Sequence, residues 1–407
     1  MKILRIIARL NVGGPARHVV WLTEALNDDE FESSLIAGSV PPGEEDMGYL
    51  AEKAGIEPVF IEEMSRELSV KDLISILKVY REIKRFRPDV IHTHTAKAGT
   101  VGRTAAFVYR WLTWKTLIGK PRKVRVVHTF HGHVFHSYYG RAKTRLFILI
   151  EKLLARLATD RIVAITEQQL KEINEEVGVG RRDQFRVIRL GIDLEPYLNA
   201  ANERDSARKE FGIGEGELAV AFVGRLTEIK NIPLFLNVAK MVLQDAAGEL
   251  PFRFFIAGDG HLRPHLEKMS ADLGIAERIG FLGNLARPET VYAACDIVSL
   301  TSLNEGTPLS LIEGMAASKP VISTVVGGVR DLVGPAVETR DGFSICERGV
   351  GVDSGDAAGL AKGLIYLAKN ERLRERLSET GQNYVRAVYI KERLVREIKE
   401  LYRSLHG

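Results

Sequence analysis

Cysteine is almost absent from the 407 residues: Cys295 and Cys346 stand alone and far apart. That excludes a disulfide framework and a cysteine-based zinc site, and it suits a reducing cytoplasm. Cys295 sits in the apolar run AACDIVSL and is expected to be a buried thiol. No apolar run reaches the roughly 18–20 residues that span a bilayer. Arg5 and Arg9 interrupt the first apolar stretch, so no secretory leader is expected either. Acidic residues are missing between Asp89 and Glu151, an interval that contains Trp111, Trp114, Tyr138, Tyr139 and six of the ten histidines. Its cations run from Lys97 to Arg145. Cations beside interfacial aromatics suit an anionic membrane, at about 1 kcal/mol per cation near the surface. Residues 97–145 are therefore expected to face a membrane; a solvated basic face or an acidic soluble acceptor is the alternative. Nucleic-acid motifs are missing, so no nucleic-acid partner is expected.

What is present is an ordinary globular composition, 45% hydrophobic and 27% charged, in a chain long enough for more than one core. Short apolar runs alternate with amphipathic stretches. ILRII (3–7), SSLIAG (33–38), DVIHTH (89–94), VRVVHTF (124–130), RIVAIT (161–166) and FRVIRLGI (185–192) read as buried strands. After the polar stretch 194–217, read as a linker, the rhythm restarts with LAVAFVG (218–224), FRFFIAG (252–258), RIGFLG (278–283), DIVSLTS (296–302) and PVIST (320–324). This βαβ rhythm predicts two doubly wound, Rossmann-like α/β domains, over 1–193 and 218–384. Residues 385–407 read as an amphipathic helix across the domain junction. Ligands of such sheets bind at the carboxyl ends of strands, and polar clusters at those ends predict a central cleft faced by both domains.

The richest segment is SLNEGTPLSLIEGMAASKPVI (302–322). Thr307 can cap a helix, Pro308 suits its first turn, and Lys319-Pro320 stops it. The amides of Leu309 and Ser310, with the positive end of the helix dipole, form an anion site. Glu305 lies just outside it. Glu313 lies further along, at about 1.5 Å of rise per residue. An anion cradle between two carboxylates suits a ligand with sugar, diphosphate and ribose in a row. Other strand ends add Gly224-Arg225 with Lys230-Asn231, the glycine turn Gly258-Asp259-Gly260, and Gly327-Gly328 with Arg330-Asp331. Arginine can fork onto phosphate and lysine adds a point charge. Near the N-terminus, Gly13-Gly14 precedes a helix containing His18; the spacing is not GxGxxG. His92, His94, His128, His131, His133 and His136 crowd two strand ends. No HExxH or Cys–His spacing accompanies them, so no metal site is expected. His131, before Gly132, is placed to touch a reacting sugar.

In order, these pieces resemble a retaining family 4 glycosyltransferase of the GT-B fold: Gly13-Gly14, His92-Thr93-His94, Phe130-His131-Gly132, Ala164 to Glu167, Leu190 to Asp193, Gly224 to Asn231, Gly258 to Gly260, Phe281 to Gly283, Glu305 with Glu313, and Gly327 to Asp331. The resemblance covers nearly the whole chain. It implies that Glu305 holds a donor-sugar hydroxyl and that Gly306, Thr307, Pro308 and Leu309 contact sugar and diphosphate. It implies that Glu313 binds ribose, that Arg225 and Lys230 neutralise the leaving diphosphate beside Gly224 and Gly258, and that Gly14 closes over phosphate. His131 would contact the sugar, with His18, His94 and His133 on the acceptor side. Leu190 departs from the asparagine usual in the family, and His133 replaces an acidic variant near His131.

The activity so implied is transfer of a hexose or N-acetylhexosamine from a nucleotide sugar, UDP-linked by family frequency, to a hydroxyl of a lipid-linked or polysaccharide acceptor. Fixed cations and amides would stabilise the departing diphosphate, so no metal or other cofactor is needed. Nucleotide-sugar 2-epimerases share the architecture and form the alternative. The expected location is the cytoplasm, peripheral on the inner face of the membrane.

Overall fold

The computed structural model describes residues 1–11, 14–40, 47–64, 72–131 and 141–406, except the side chains of residues 115, 117 and 141–143. Gly13, Gly132, His133, His136, Tyr138 and Tyr139 lie outside the described residues. The chain divides into two units, Met1–Gly191 with Glu392–Gly407, and Ile192–Lys391.

The first unit contains seven parallel strands: β1 (Lys2–Ile7), β2 (Glu32–Gly38), β3 (Val59–Ile61), β4 (Val90–His94), β5 (Arg125–Thr129), β6 (Arg161–Ala164) and β7 (Phe185–Val187). Their order is β3-β2-β1-β4-β5-β6-β7. Both faces are covered, which is why the strands read as unbroken apolar runs rather than alternating ones. Leu4, Ile6 and Ile91 pack with Val101 and Ala105 of the helix Ala96–Trp111. On the other face Ile3, Val90, Val127 and Val163 meet Leu22 and Leu26. They also meet Leu394, Ile398, Leu401 and Tyr402 of the helix Lys391–Ser404. That last contact corrects the expectation of a junction helix over 385–407. The apolar face was read correctly, but it completes the first unit's core, while residues 385–388 end the helix Glu371–Val388 of the second unit.

The second unit contains β8 (Leu218–Val223), β9 (Phe252–Ala257), β10 (Ile279–Gly283), β11 (Ile297–Leu300), β12 (Val321–Thr324), β13 (Ala336–Arg340), β14 (Phe343–Cys346) and β15 (Val350–Val352), in the order β10-β9-β8-β11-β12-β15-β14-β13. β14 pairs antiparallel with β13 and β15. These three strands, and three-residue β3, escaped the sequence reading because they are short or carry little apolar periodicity. The stretch 194–217 is not a free linker. It forms the helices Glu195–Leu198 and Arg204–Glu210 within the second unit. Arg204 and Arg208 both reach Asp296, at 2.5 and 3.2 Å. These two arginines anchor the stretch to the start of β11, while Glu195, Asp205, Lys209 and Glu210 stay exposed.

The acid-free interval is likewise not acid-free in space. Lys97 pairs with Asp72, Arg103 with Glu151 at 2.6 Å, and Arg110 with Asp160 at 2.9 Å. Arg125 also reaches Asp160, at 3.4 Å. Carboxylates distant in sequence fold back onto these cations, so Lys97, Arg103 and Arg110 are turned inward, while Lys120, Lys123, Arg125 and Arg145 stay exposed. Both cysteines are buried and free, and burial pushes the Cys295 thiol up to about 11. Among the described residues no helix is long and apolar enough to cross a membrane.

Candidate active site

In the second unit the site is assembled at the carboxyl ends of β8, β9, β11 and β12. β8 ends at Gly224 and exposed Arg225. β9 ends at Gly258, whose backbone φ is +126°. A Cβ there would lie 2.1 Å from the Gly224 carbonyl oxygen, so the two strand ends touch backbone to backbone and only glycine fits. The expected glycine turn therefore has a packing reason of its own. Asp259 binds the Gly260 amide and Arg263, which settles it as a turn residue.

Lys230 is presented by a short turn that ends in Asn231, held left-handed at φ 47°. Asparagine is one of the few residues that accept this region readily. Thr301, at the end of β11, donates to the carbonyls of Lys230 and Asn231. Leu303 donates its amide to the Ile229 carbonyl. The β11 loop and the lysine turn are thus sewn together. The result is a contact of 2.5 Å between Lys230 Nζ and Glu305 Oε1. Ser302 donates to the same oxygen at 2.5 Å. The Gly328 amide donates to the Glu305 carbonyl, which gives the Gly327-Gly328 pair its place in the site.

The helix runs Leu309–Ala316 with Pro308 in the capping position. The expected cap does not form: Thr307 Oγ1 is buried and makes no hydrogen bond. The helix's own ladder starts with the Leu311 and Ile312 amides on the Pro308 carbonyl. The amides of Leu309 and Ser310 therefore point out of the first turn, as helix geometry requires. Gly314 lets this helix lie close on β11, since a Cβ there would come within 2.8 Å of Val298 Cγ2. Glu313 is buried rather than solvated, and Tyr292 donates its hydroxyl to it at 2.7 Å. Burial first, then the Glu313 charge, push the Tyr292 phenol well above its usual value, so it stays a donor. Sequence reasoning missed Tyr292 and Ser302; neither lies in a recognisable spacing, and only the fold brings them to the two glutamates.

In the first unit the helix Gly14–Ala25 carries His18, β4 carries His92 and His94, and His131 follows β5. The ladder aligns Arg5 with His92 and Ile7 with His94. His94 Nδ1 and His131 Nε2 lie 2.9 Å apart. The His18 ring stands edge-on to both, with centroids 5.7 Å from His94 and 4.9 Å from His131. Burial holds the His131 imidazole down at about 3 and His18 and His94 well below their ordinary value. All three are neutral at pH 7. Both His18 nitrogens, His94 Nε2 and His131 Nδ1 are buried without a hydrogen bond, which leaves lone pairs and N–H groups for a ligand. Their ligand nitrogens lie within 4.8 Å of one another, a grouping the linear spacing did not reveal. Two features weigh against a cation there: buried Arg5 bears a positive charge felt by all three neighbouring histidines, His18, His92 and His94, and the trio itself includes no carboxylate.

Behind them His92 is locked by Tyr402 at 2.6 Å and Thr129 at 2.7 Å, and its ring stacks 4.1 Å from His94. His128 faces the opposite side of the sheet and binds Thr93 at 2.8 Å. These two histidines belong to the core. Tyr402→Phe should leave His92 Nδ1 without its buried partner and cost about 1–3 kcal/mol, measured by chemical denaturation. No change in midpoint would show that the contact contributes nothing.

Residues 203–384 match the family of glycosyl transferases group 1, and residues 12–196 match Glycosyltransferase Family 4. An Escherichia coli UDP-Gal:alpha-D-GlcNAc-diphosphoundecaprenol alpha-1,3-galactosyltransferase is 29% identical over 325 residues, covering 79% of this chain and 78% of the relative. A D-inositol 3-phosphate glycosyltransferase of Rhodococcus erythropolis is 35% identical over 267 residues, covering 62% of this chain and 56% of that protein. Among solved structures, Anabaena HepE in complex with UDP superposes with a TM-score of 0.79 at 19% identity, over 99% of this chain and 100% of that one. With both halves matched and the fold in agreement, the chain is a GT-B glycosyltransferase of the family 4 type.

Proposed function

We propose that this enzyme transfers a hexose or N-acetylhexosamine from a UDP-sugar to a hydroxyl of a lipid-linked saccharide, with retention of configuration and without a metal. The observation that carries the reading is the Lys230–Glu305 contact, beside the outward amides of the Leu309–Ala316 helix and eight residues before Glu313. In this reading Arg225, Lys230 and the amides of Leu309 and Ser310 meet the negative charge that grows on the diphosphate. Gly14, Gly224, Gly258 and Gly306 admit the phosphates close to the backbone, and Thr307 and Pro308 line the same turn. Glu305 takes a sugar hydroxyl and also orients Lys230. Glu313, steadied by Tyr292, takes the ribose hydroxyls.

The bond from the anomeric carbon to the diphosphate oxygen breaks, and the acceptor oxygen bonds to the same face of that carbon. The acceptor's proton passes to the departing diphosphate, which leaves as UDP. Neutral His131, His94 and His18 offer hydrogen bonds to sugar and acceptor hydroxyls. The Arg5 charge supports a metal-free histidine pocket. The E. coli relative's lipid-diphosphate acceptor supports the acceptor class, and with it a cytoplasmic enzyme held peripherally at the inner face of an anionic membrane.

The test is incubation with UDP-galactose, UDP-glucose and UDP-N-acetylglucosamine, each with a diphosphoundecaprenyl N-acetylglucosamine analogue and excess chelator. NMR should detect one α-linked product and free UDP. A β-linked product would remove retention. Release of the free 2-epimer without transfer would replace the reading with epimerisation.

A further inference from the structure

The helix Arg141–Leu157 covers the first unit with one face and leaves the other bare. Phe147, Glu151 and Ala155 point inward, and Glu151 meets Arg103 there. Leu146, Leu149, Leu153 and Leu157 are 52, 64, 55 and 48% exposed. Spaced three and four residues apart, they form one continuous outward stripe. Arg145, Lys152 and Arg156 are exposed beside it. Glu151 is the helix's single acid, and it is spent inside, so the outward face bears leucine and cations alone.

Further exposed apolar residues follow the neighbouring helix. Glu151 pairs with Arg103, and Asp160 pairs with Arg110. The Arg141–Leu157 and Ala96–Trp111 helices therefore run side by side in the same direction. Beyond the end of the latter, near Leu157, lie Leu112, Trp114 and Ile118, exposed by 67, 87 and 70%. Large apolar side chains exposed together mark an interaction site. Its opposite end, at Leu146, lies at the edge of the sheet where β4 and β5 deliver His94 and His131, because the neighbouring Ala96–Trp111 helix starts directly after His94.

We propose that this face lies in the surface plane of an anionic lipid bilayer, leucines toward the acyl boundary and cations toward the headgroups. A helix with an apolar stripe, a cationic border and no outward acid has the composition of an in-plane membrane helix. Charge decides against a second copy of the chain, since pairing this face with itself would set cations against cations with no acid to answer them. The inference rests on the lipid-linked acceptor proposed above, and it centres the contact on the outward side of 145–157 rather than on the buried cations Lys97 and Arg103.

Flotation of the full chain with phosphatidylglycerol vesicles and with phosphatidylcholine vesicles tests it without reference to turnover. The wild type should float with the former at least tenfold more than with the latter. Leu149→Glu/Leu153→Glu should lose that binding at least tenfold with an unchanged thermal midpoint, and Lys152→Glu/Arg156→Glu should reduce it. The double leucine variant should keep wild-type turnover on a water-soluble acceptor analogue. Equal flotation of wild type and leucine variant overturns the proposal, as does a wild type that floats with neither vesicle. So does sedimentation showing a dimer that the leucine variant abolishes. Lack of turnover with every UDP-sugar, alongside intact flotation, would count against the function reading and leave the surface standing.

Discussion

Lys230→Ala should lower kcat about 100- to 1000-fold, corresponding to about 2.7–4 kcal/mol of lost transition-state stabilisation. The expectation follows from where the charge sits. Its ammonium is 18% exposed and held at 2.5 Å from a Glu305 carboxylate that is itself 10% exposed. Ser302 donates to the same carboxylate oxygen, and the Gly328 amide holds the Glu305 backbone carbonyl. A cation preset in this way needs no reorganisation when the diphosphate begins to leave, and low solvent access keeps its field strong. The interaction grows with leaving-group charge, so kcat should fall more than KM for the nucleotide sugar rises. The thermal midpoint should change little, since the ion pair is partly exposed and Glu305 keeps Ser302. A parallel measurement of kcat, KM and melting decides. Turnover within threefold of wild type would remove Lys230 from the catalytic assignment.

Glu151→Ala is expected to cost the first unit about 3–5 kcal/mol, the range for a buried pair broken from one side. Arg103 and Glu151 are 0 and 1% exposed, and Arg103 Nη2 lies 2.6 Å from both carboxylate oxygens. Removing the carboxylate strands a guanidinium that has only the Gly99 carbonyl left to it. Replacing both residues by methionine should recover most of the loss, because the desolvation cost of the pair vanishes with it. Urea denaturation followed by circular dichroism checks both variants. A single variant as stable as wild type would mean that water or a shifted side chain reaches Arg103. The same pair aligns the Ala96–Trp111 and Arg141–Leu157 helices, so vesicle flotation of Glu151→Ala should weaken together with its stability.

Arg225, Lys230 and Glu305 were picked out because they lie in the loops after strand ends, where parallel sheets meet ligands, and the structure brings Lys230 and Glu305 into contact. The position of the helix after Pro308 was legible too, since proline and a periodic apolar face restrict where a helix can begin. Thr307 was misread: a threonine before a proline scores as a cap by type, but Pro308 takes the capping position and the Thr307 hydroxyl makes no hydrogen bond. The linker over 194–217 was misread for a similar reason, because polarity in a sequence does not distinguish solvated residues from those answering a distant Asp296. The three-residue strands β3 and β15 had too few side chains to show a period.

Local chemistry along the chain, namely apolar runs, glycines at strand ends and charged residues just beyond them, was enough to predict two wound sheets and to single out the strand ends proposed as the donor site. Such features act over a few residues and therefore survive in one dimension. Which partners those residues meet was decided only by folding. Tyr292 beneath Glu313, Tyr402 behind His92, the last helix in the first core, the inward turn of Lys97 and Arg103 and the outward leucines of 146–157 all depend on contacts between residues tens to hundreds apart. Hydrogen bonds and buried charges act through space, and sequence order does not encode that distance.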